Sequence, residues 1–248
     1  MLAVELAAEA TTHFRPRGLC ASRQCSPNEL LSMMRLAFDL AELEADRLYW
    51  LMRKWERKNH RFPLLKSWRL LDPLQAVLDQ RYWQSDLDVL LASELDECMS
   101  VVKLDLDNFK LVNEKLGHSA GDEAIKLACA LIKEVFGRVG EVYRRGGDEI
   151  VVLAPGLAEQ ECLNLAEHAR RLIAEKFEVW GARRGLSLTP TASIGVVYAV
   201  SGCNAVEVTA LLDEAQSTAK QLGKNRVVNL ACGSNPHTNR PTIGAPAP

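Results

Sequence analysis

Apolar residues along the chain follow two rhythms, and their alternation predicts the elements. Val101-Val102-Lys103-Leu104 and Ile150-Val151-Val152-Leu153 are short apolar runs rich in β-branched residues, as is Thr191-Ala192-Ser193-Ile194-Gly195-Val196-Val197. Such runs predict buried strands. A further strand is expected over Asn225 to Leu230. Between them lie stretches with helical spacing. One is expected over 82–97. Another begins at Asp122 with Ile125, Ala128, Ile132 and Val135 on its apolar face. A third covers 158–176 with Leu163, Ala166, Ala169 and Leu172, and the last covers 205–222 with Gly223 as its stop. Tyr143 to Arg145 and Ile150 to Leu153 meet at Gly146-Gly147-Asp148-Glu149, which predicts a β-hairpin with an acidic tip. Helices alternating with strands around one hairpin describe a ferredoxin-like α/β (α+β) sandwich.

Upstream the pattern changes. Residues 1–25 read as a flexible arm, and Ser26-Pro27-Asn28-Glu29 is a capping box with proline at the first helical position. The helix it opens is expected to run to about residue 61, before Pro63. Met34, Ala41, Leu48 and Trp55 form one seven-residue seam and Leu30, Ala37 and Leu51 a second, interrupted by Glu44. That spacing suggests pairing with a second helix, against the alternative that the helix folds back on its own domain. Arg53, Lys54, Arg57, Lys58, Arg61, Lys66 and Arg69 make the end of this segment basic, which reads as a solvated face. Trp68 and Leu70-Leu71 are expected to dock the linker onto the downstream domain. The organisation is therefore 1–25 arm, 26–71 helix and linker with a dimerising or regulatory role, 72–232 catalytic domain, and 233–248 a Gly-, Pro-, Asn- and Thr-rich disordered tail.

Composition narrows this only slightly. Apolar residues make up 48% and charged residues 25%, as in ordinary globular proteins, and the net charge of -2 gives no drive toward nucleic acid or an anionic membrane. No apolar run approaches the ~20 residues needed to span a bilayer. Seven cysteines at irregular spacings form no disulfide framework, which points to reduced thiols and a cytoplasmic location.

The chemistry sits at two acidic ends. The run before Asp105-Leu106-Asp107 delivers carboxylates at the end of a buried strand, and Asp148-Glu149 lie at the hairpin tip. Strand alternation would send Asp148 and Glu149 to opposite faces, so only one, Asp148, is expected to share a site with Asp105. Such a pair makes a hard oxygen site suited to Mg²⁺ completed by substrate phosphates. Gly146 and Gly147 leave no side chain to obstruct an anion approaching the turn.

The ordered set Asp105-x-Asp107-x-Phe109-Lys110-x-x-Asn113, Gly117-His118-x-x-Gly121-Asp122 and Gly146-Gly147-Asp148-Glu149 resembles the GGDEF family of diguanylate cyclases, with Ile150 in place of the usual Phe. The resemblance spans about residues 72–230. Asp72 to Arg81 is similar to the family's opening motif, with several positions changed. The resemblance implies a palm-type nucleotidyl cyclase fold and a bacterial second-messenger enzyme. Two Mg²⁺ per site, or Mn²⁺ in their place, would be held by Asp105, the Leu106 carbonyl and Asp148, with Glu149 secondary; Asp105, Asp148 and Glu149 would be catalytic. Backbone N–H groups of Asn108, Phe109 and Lys110 at a helix start would receive phosphates, together with Lys220 and Lys224, the latter standing where the family usually has Arg. A carboxylate complements the N1–H and N2–H₂ donors of guanine, the role the resemblance gives to Asp122, with Asn113 on the same base.

The reaction implied is condensation of two GTP into cyclic di-GMP and two pyrophosphates at a homodimer, paired through 26–61. Neither membrane nor nucleic acid is expected as a partner. The alternatives are a catalytically degenerate nucleotide-binding or dimerising module and a cyclase making a mixed cyclic dinucleotide. The family's inhibitory Arg-x-x-Asp product site falls here on Gly137 and Gly140. Arg138 and Glu141 stand one residue out of register, so little product inhibition through that site is expected.

Overall fold

The computed structural model of the protein describes residues 49–51, 53, 69–92, 98–200, 202–233 and 242–243. The chain divides into two compact units, Met1–Trp68 and Arg69–Pro248. In the first, residues 49–51 and Arg53 are helical. Tyr49 and Trp50 are buried, their rings meeting edge to face at 5.8 Å. The remainder of the helix expected over 26–61, the arm over 1–25 and Trp68 lie outside the described residues.

The second unit runs α1 (Gln80–Ala92), β1 (Cys98–Asp107), α2 (Phe109–Leu116), α3 (His118–Phe136), β2 (Glu141–Gly146), β3 (Glu149–Pro155), α4 (Glu159–Ala182), β4 (Thr191–Val200), α5 (Ala205–Gln221), β5 (Val227–Cys232) and β6 (Thr242–Ile243). The strands form one mixed sheet in the order β2-β3-β1-β4-β5-β6. β1 is central and antiparallel to both β3 and β4, while β5 runs parallel to β4 across the α5 crossover. The α/β sandwich expected from the alternation is thus present.

Successive side chains of a strand point to opposite faces, and β1 turns one of its two sets into the main core. Val102, Leu104 and Leu106 join Ile125, Ala128, Ile132 and Phe136 of α3 and Ala166, Ile173 and Phe177 of α4 in the main core. Each Val, Leu, Ile or Phe side chain among them contributes about 1.5–3 kcal/mol on burial. The alternate positions, Lys103, Asp105 and Asp107, point to the opposite face, which α1 and α5 cover. The period of the strand therefore segregates a dry core from a charged face, and the charged face opens at the C-terminal end of β1.

Several expectations change in detail. α3 begins at His118 behind Gly117, whose φ is 83°, so Asp122 lies in the second turn and is not the helix cap. α4 extends through Ala182, and its buried stripe is Cys162, Ala166, Ala169, Ile173 and Phe177. Leu163 and Leu172 are only half-buried beside it. Thr242–Ile243 pairs antiparallel with β5, so the tail expected to be disordered contributes an edge strand.

Arg69 is not part of a solvated face. It is 4% exposed and forms a bidentate ion pair with Asp86 of α1, whose Oδ2 also accepts from the Tyr143 hydroxyl at 2.6 Å. Within this unit Arg69 is anchored by the buried charge pair, while the Leu70 and Leu71 side chains, expected to dock, stay exposed. A lone charge costs too much to bury, but one met by a partner and a hydroxyl donor can be carried inside.

Candidate active site

The hairpin turn is Gly147-Asp148, between Gly146 closing β2 and Glu149 opening β3. Gly146 and Gly147 have φ of 149° and 51°. A Cβ on Gly147 would meet nothing within 4 Å, so the turn demands glycine for its backbone conformation and faces open space. Arg144 fastens it, donating from Nε to the Gly147 carbonyl at 2.8 Å and from Nη1 to Asp72 Oδ2 at 3.1 Å. Asp72 also accepts from the backbone N–H groups of Leu74, Ala76 and Val77. Burial pushes the Asp72 carboxyl up, but these N–H groups and Arg144 outweigh it and hold it below the ordinary carboxylate value. The opening motif thus anchors the turn.

Antiparallel register sets Glu149 directly opposite Asp105, which puts both side chains on the same face. Asp148 belongs to the turn, where strand alternation does not operate. The expectation that only one hairpin carboxylate would share the site of Asp105 is therefore corrected: both bear on it. Burial and then the neighbouring Asp105 charge push Asp148 up to about 6. Asp105 is raised by burial, with the Lys220 ammonium, 2.7 Å from its Oδ1, pulling the other way and Glu149 adding to the rise. The site carries more negative charge than its resident cation neutralises.

On the other side of Asp105 the chain turns into α2. Asn108 adopts the left-handed conformation at φ 60° and its Oδ1 accepts from Lys224 Nζ at 2.8 Å, at the helix N-terminus. Lys224 and Asn225 are left-handed as well, at φ 64° and 46°. That turn is pinned by the Asn225 N–H on Asp107 Oδ2 at 3.0 Å and by Arg170 Nη1 on Asn225 Oδ1 at 2.9 Å. Asp107 further accepts from the hydroxyls of Thr191 and Ser193, each at 2.7 Å. It acts as a latch between strands and turn, with both carboxylate oxygens already engaged. Lys110 points outward with its side chain 89% exposed, so only its backbone faces the helix start. Phe109 packs against the core.

Asn113 of α2 meets the start of α3 at Gly121. A Cβ there would lie 2.0 Å from Asn113 Oδ1, so the amide fits only above a glycine. Asp122, the next residue, is exposed. The structure thus brings Asp105, Asp148, Glu149, Lys220, Lys224 and Asn108 to one mouth at the strand ends. Asn113 and Asp122 sit on the adjoining pair of helices.

The family model for the diguanylate cyclase GGDEF domain matches residues 69–226. The chain belongs to the GGDEF family. It is 32% identical over 162 residues to the diguanylate cyclase VdcA of Vibrio cholerae, covering 65% of this chain and 47% of that protein. It is 32% identical over 158 residues to the probable diguanylate cyclase DgcT of Escherichia coli, covering 63% and 35%. The match thus spans less than half the length of these relatives. Among solved structures, the GGDEF domain of DgcB from Caulobacter crescentus in complex with c-di-GMP superposes with a TM-score of 0.56 at 25% identity, covering 66% of this chain and 98% of that one. The active GGEEF domain of a Vibrio cholerae diguanylate cyclase gives a TM-score of 0.54 at 26% identity, covering 61% and 96%.

Within the GGDEF signature, Ile150 is 1% exposed and belongs to the main core, so its side chain packs and does not reach the site. At the positions of the family's product site, Gly140 sits against β3, where a Cβ would come 2.5 Å from the Leu153 carbonyl oxygen. Neither Gly137 nor Gly140 offers a ligand-binding side chain there.

Among the described residues no three His, Cys, Asp or Glu side chains converge into a ready metal cage. The donor set nevertheless fits a hard divalent cation. Burial raises the proton affinity of Asp105 and Asp148, Glu149 adds to the rise at Asp105 and Asp105 to the rise at Asp148, and such excess negative charge is what Mg²⁺ relieves when substrate oxygens complete its shell. The Leu106 side chain is in the core, leaving only its backbone for such a site.

Sequence reasoning missed one group of residues. Lys103 in β1, Arg145 in β2 and Asp213 in α5 form a charged cluster around Glu149. Two signals were available: a lysine interrupting a buried strand, and Asp213 standing seven residues before Lys220 on one helix face.

Proposed function

We propose that the protein is a diguanylate cyclase that condenses two GTP into cyclic di-GMP with release of two pyrophosphates. The observation that carries this reading is the meeting of the Asp105 and Asp148 carboxylates with Lys220, and of Lys224 with Asn108 at the N-terminus of α2, at one sheet end. That arrangement pairs an acidic cation site with an anion site, the two halves that a nucleoside triphosphate requires.

Asp105, Asp148 and the Leu106 carbonyl would hold Mg²⁺, with Glu149 secondary. Two Mg²⁺ ions, when bound, lower the pKa of an attacking hydroxyl and neutralise charge on the triphosphate. The N–H groups of Asn108, Phe109 and Lys110 and the ammonium groups of Lys220 and Lys224 orient the phosphates, and Gly146-Gly147 leave them room. Asp122 and Asn113 accept and donate to the guanine edge. The 3′-hydroxyl of one GTP releases its proton to solvent as its oxygen attacks the α-phosphorus of the other, the bond to the β-phosphate oxygen breaks, and pyrophosphate leaves. The same step with the two nucleotides exchanging roles closes the ring. Because each GTP is both nucleophile and electrophile, two domains must face each other. Residues 26–61 are the segment we assign to pairing them.

Free thiols at the described cysteines and the need for GTP support action in the cytoplasm. Among the described residues no helix is long and apolar enough to cross a membrane. The test is incubation of the purified chain with Mg²⁺ and GTP, with and without ATP, followed by separation of the products. Cyclic di-GMP that disappears in Asp148→Ala supports the reading. A mixed guanine and adenine dinucleotide, or nucleotide binding without pyrophosphate release, overturns it in favour of one of its two competitors.

A further inference from the structure

Glu149 sits in a charge network on which the proposed reaction does not draw. Lys103 Nζ lies 3.0 Å from Glu149 Oε1 and 2.7 Å from Asp213 Oδ1. Arg145 Nη1 lies 2.7 Å from Asp213 Oδ1, and its Nε is 3.9 Å from Glu149 Oε2. The Arg145 guanidinium also lies over the Trp83 ring, 5.2 Å from its centroid, a cation–π contact that helps to hold it. Two cations are thus divided between two carboxylates that come from different elements, β3 and α5.

The Lys103 side chain is only 6% exposed, so its ammonium must be paired wherever it points. Asp213 takes the shorter of its two contacts and the closer contact of Arg145. Burial pushes the Asp213 carboxyl up, but Arg145 and Lys103 outweigh it and hold it below the ordinary range, so it stays charged. With Asp213 in place the network is two positive against two negative. Without it, both cations fall to Glu149, which is then over-neutralised and drawn away from the Asp105 face.

We propose that Asp213 is a positioning residue for the GGDEF site: by holding Lys103 and Arg145 it keeps the Glu149 carboxylate oriented opposite Asp105 with charge left over for a divalent cation. The kinetic part of this inference rests on the cyclase reading, and the cation-binding part does not. It gives Asp213 and Lys103 opposite signs. Loss of Asp213 adds net positive charge beside the cation site, whereas loss of Lys103 removes it.

The experiment titrates Mn²⁺ into the full chain, followed by electron paramagnetic resonance, beside steady-state pyrophosphate release from GTP with Mg²⁺. Asp213→Asn is expected to weaken Mn²⁺ binding and lower kcat about tenfold each. The KM for GTP should stay within about twofold, since phosphate and base contacts are untouched. Asp213→Glu should restore part of both losses, and Lys103→Met, or Lys103→Gln if the former fails to fold, should tighten Mn²⁺. In a Glu149→Gln background Asp213→Asn should add little. Equal losses with and without Glu149, shifts of the same sign for the Asp213 and Lys103 variants, or no shift in either would overturn the inference, as would a wild-type chain that binds no Mn²⁺. A wild-type chain that binds Mn²⁺ but releases no pyrophosphate refutes the cyclase reading, and the Mn²⁺ shifts then decide the inference.

Discussion

Lys220 Nζ lies 2.7 Å from Asp105 Oδ1, so the cation carried by the end of α5 rests on the carboxylate at the end of β1. The same ammonium lowers the proton affinity of Asp148. An ammonium and a divalent cation cannot both neutralise one carboxylate at full strength. Lys220→Met should therefore bind Mn²⁺ more tightly than wild type when nucleotide is absent. Turnover of GTP should fall about a hundredfold, the typical loss when one charge-stabilising donor is removed. Calorimetric Mn²⁺ titration and pyrophosphate release measure the two effects, and a loss of both together would assign Lys220 to the fold alone.

Asp148 has a pKa raised to about 6 against the ordinary aspartate value of 3.8. As pH rises from 4 to 6 the unfolded chain gives up its proton first, so ionisation costs the native state stability, and the full cost is present above 6. Asp148→Asn removes that cost. Without metal it should raise the stability at pH 7.5 by about 1 kcal/mol after allowance for solvent screening, and the gain should vanish below pH 4. Urea denaturation across that range decides it, and a gain independent of pH would contradict the assignment.

Gly121 leaves room for Asn113, whose Oδ1 would be 2.0 Å from an added Cβ. The obstacle is the end of a side chain, so Gly121→Ala should fold, with alanine favouring the helix. The displaced amide should raise the KM for GTP about tenfold, the value of one or two hydrogen bonds. Thermal melting that holds while KM rises would agree; an unchanged KM would remove Asn113 from the base site.

Arg69 and Asp86 are almost wholly buried, with side chains 1% and 0% exposed. Arg69→Met leaves Asp86 without its counter-charge and should destabilise the domain by about 3 kcal/mol. A chemical denaturation curve measures this. A shift under about 1 kcal/mol would mean that Tyr143 and water compensate the carboxylate.

The distribution of legible and illegible features follows from the range of the interactions involved. Strand and helix identity, the hairpin and the acidic strand ends are local, and the alternation of Val101 to Asp107 or the Gly146-Gly147 pair suffices to read them. Arg69 resembles its basic neighbours in sequence because its burial depends on Asp86 and Tyr143, which are distant along the chain. The sequence singles out Asp105 but leaves Asp107 without a task; only Thr191, Ser193 and Asn225, gathered around it by the sheet, make Asp107 a structural latch.

The amino-acid order alone thus determined the fold class, through the alternation of its apolar runs, and the GGDEF family, through the ordered motifs around Asp105, Gly121 and Gly146-Gly147 that resemble it. Only the tertiary structure decided how the charges are shared: that Glu149 stands opposite Asp105, that Lys220 rests on Asp105 while Lys224 rests on Asn108, and that Asp213 divides Lys103 and Arg145 with Glu149. Electrostatic pairing falls off within a few ångströms, and which charges come that close is set by strand register and helix packing, not by spacing along the chain.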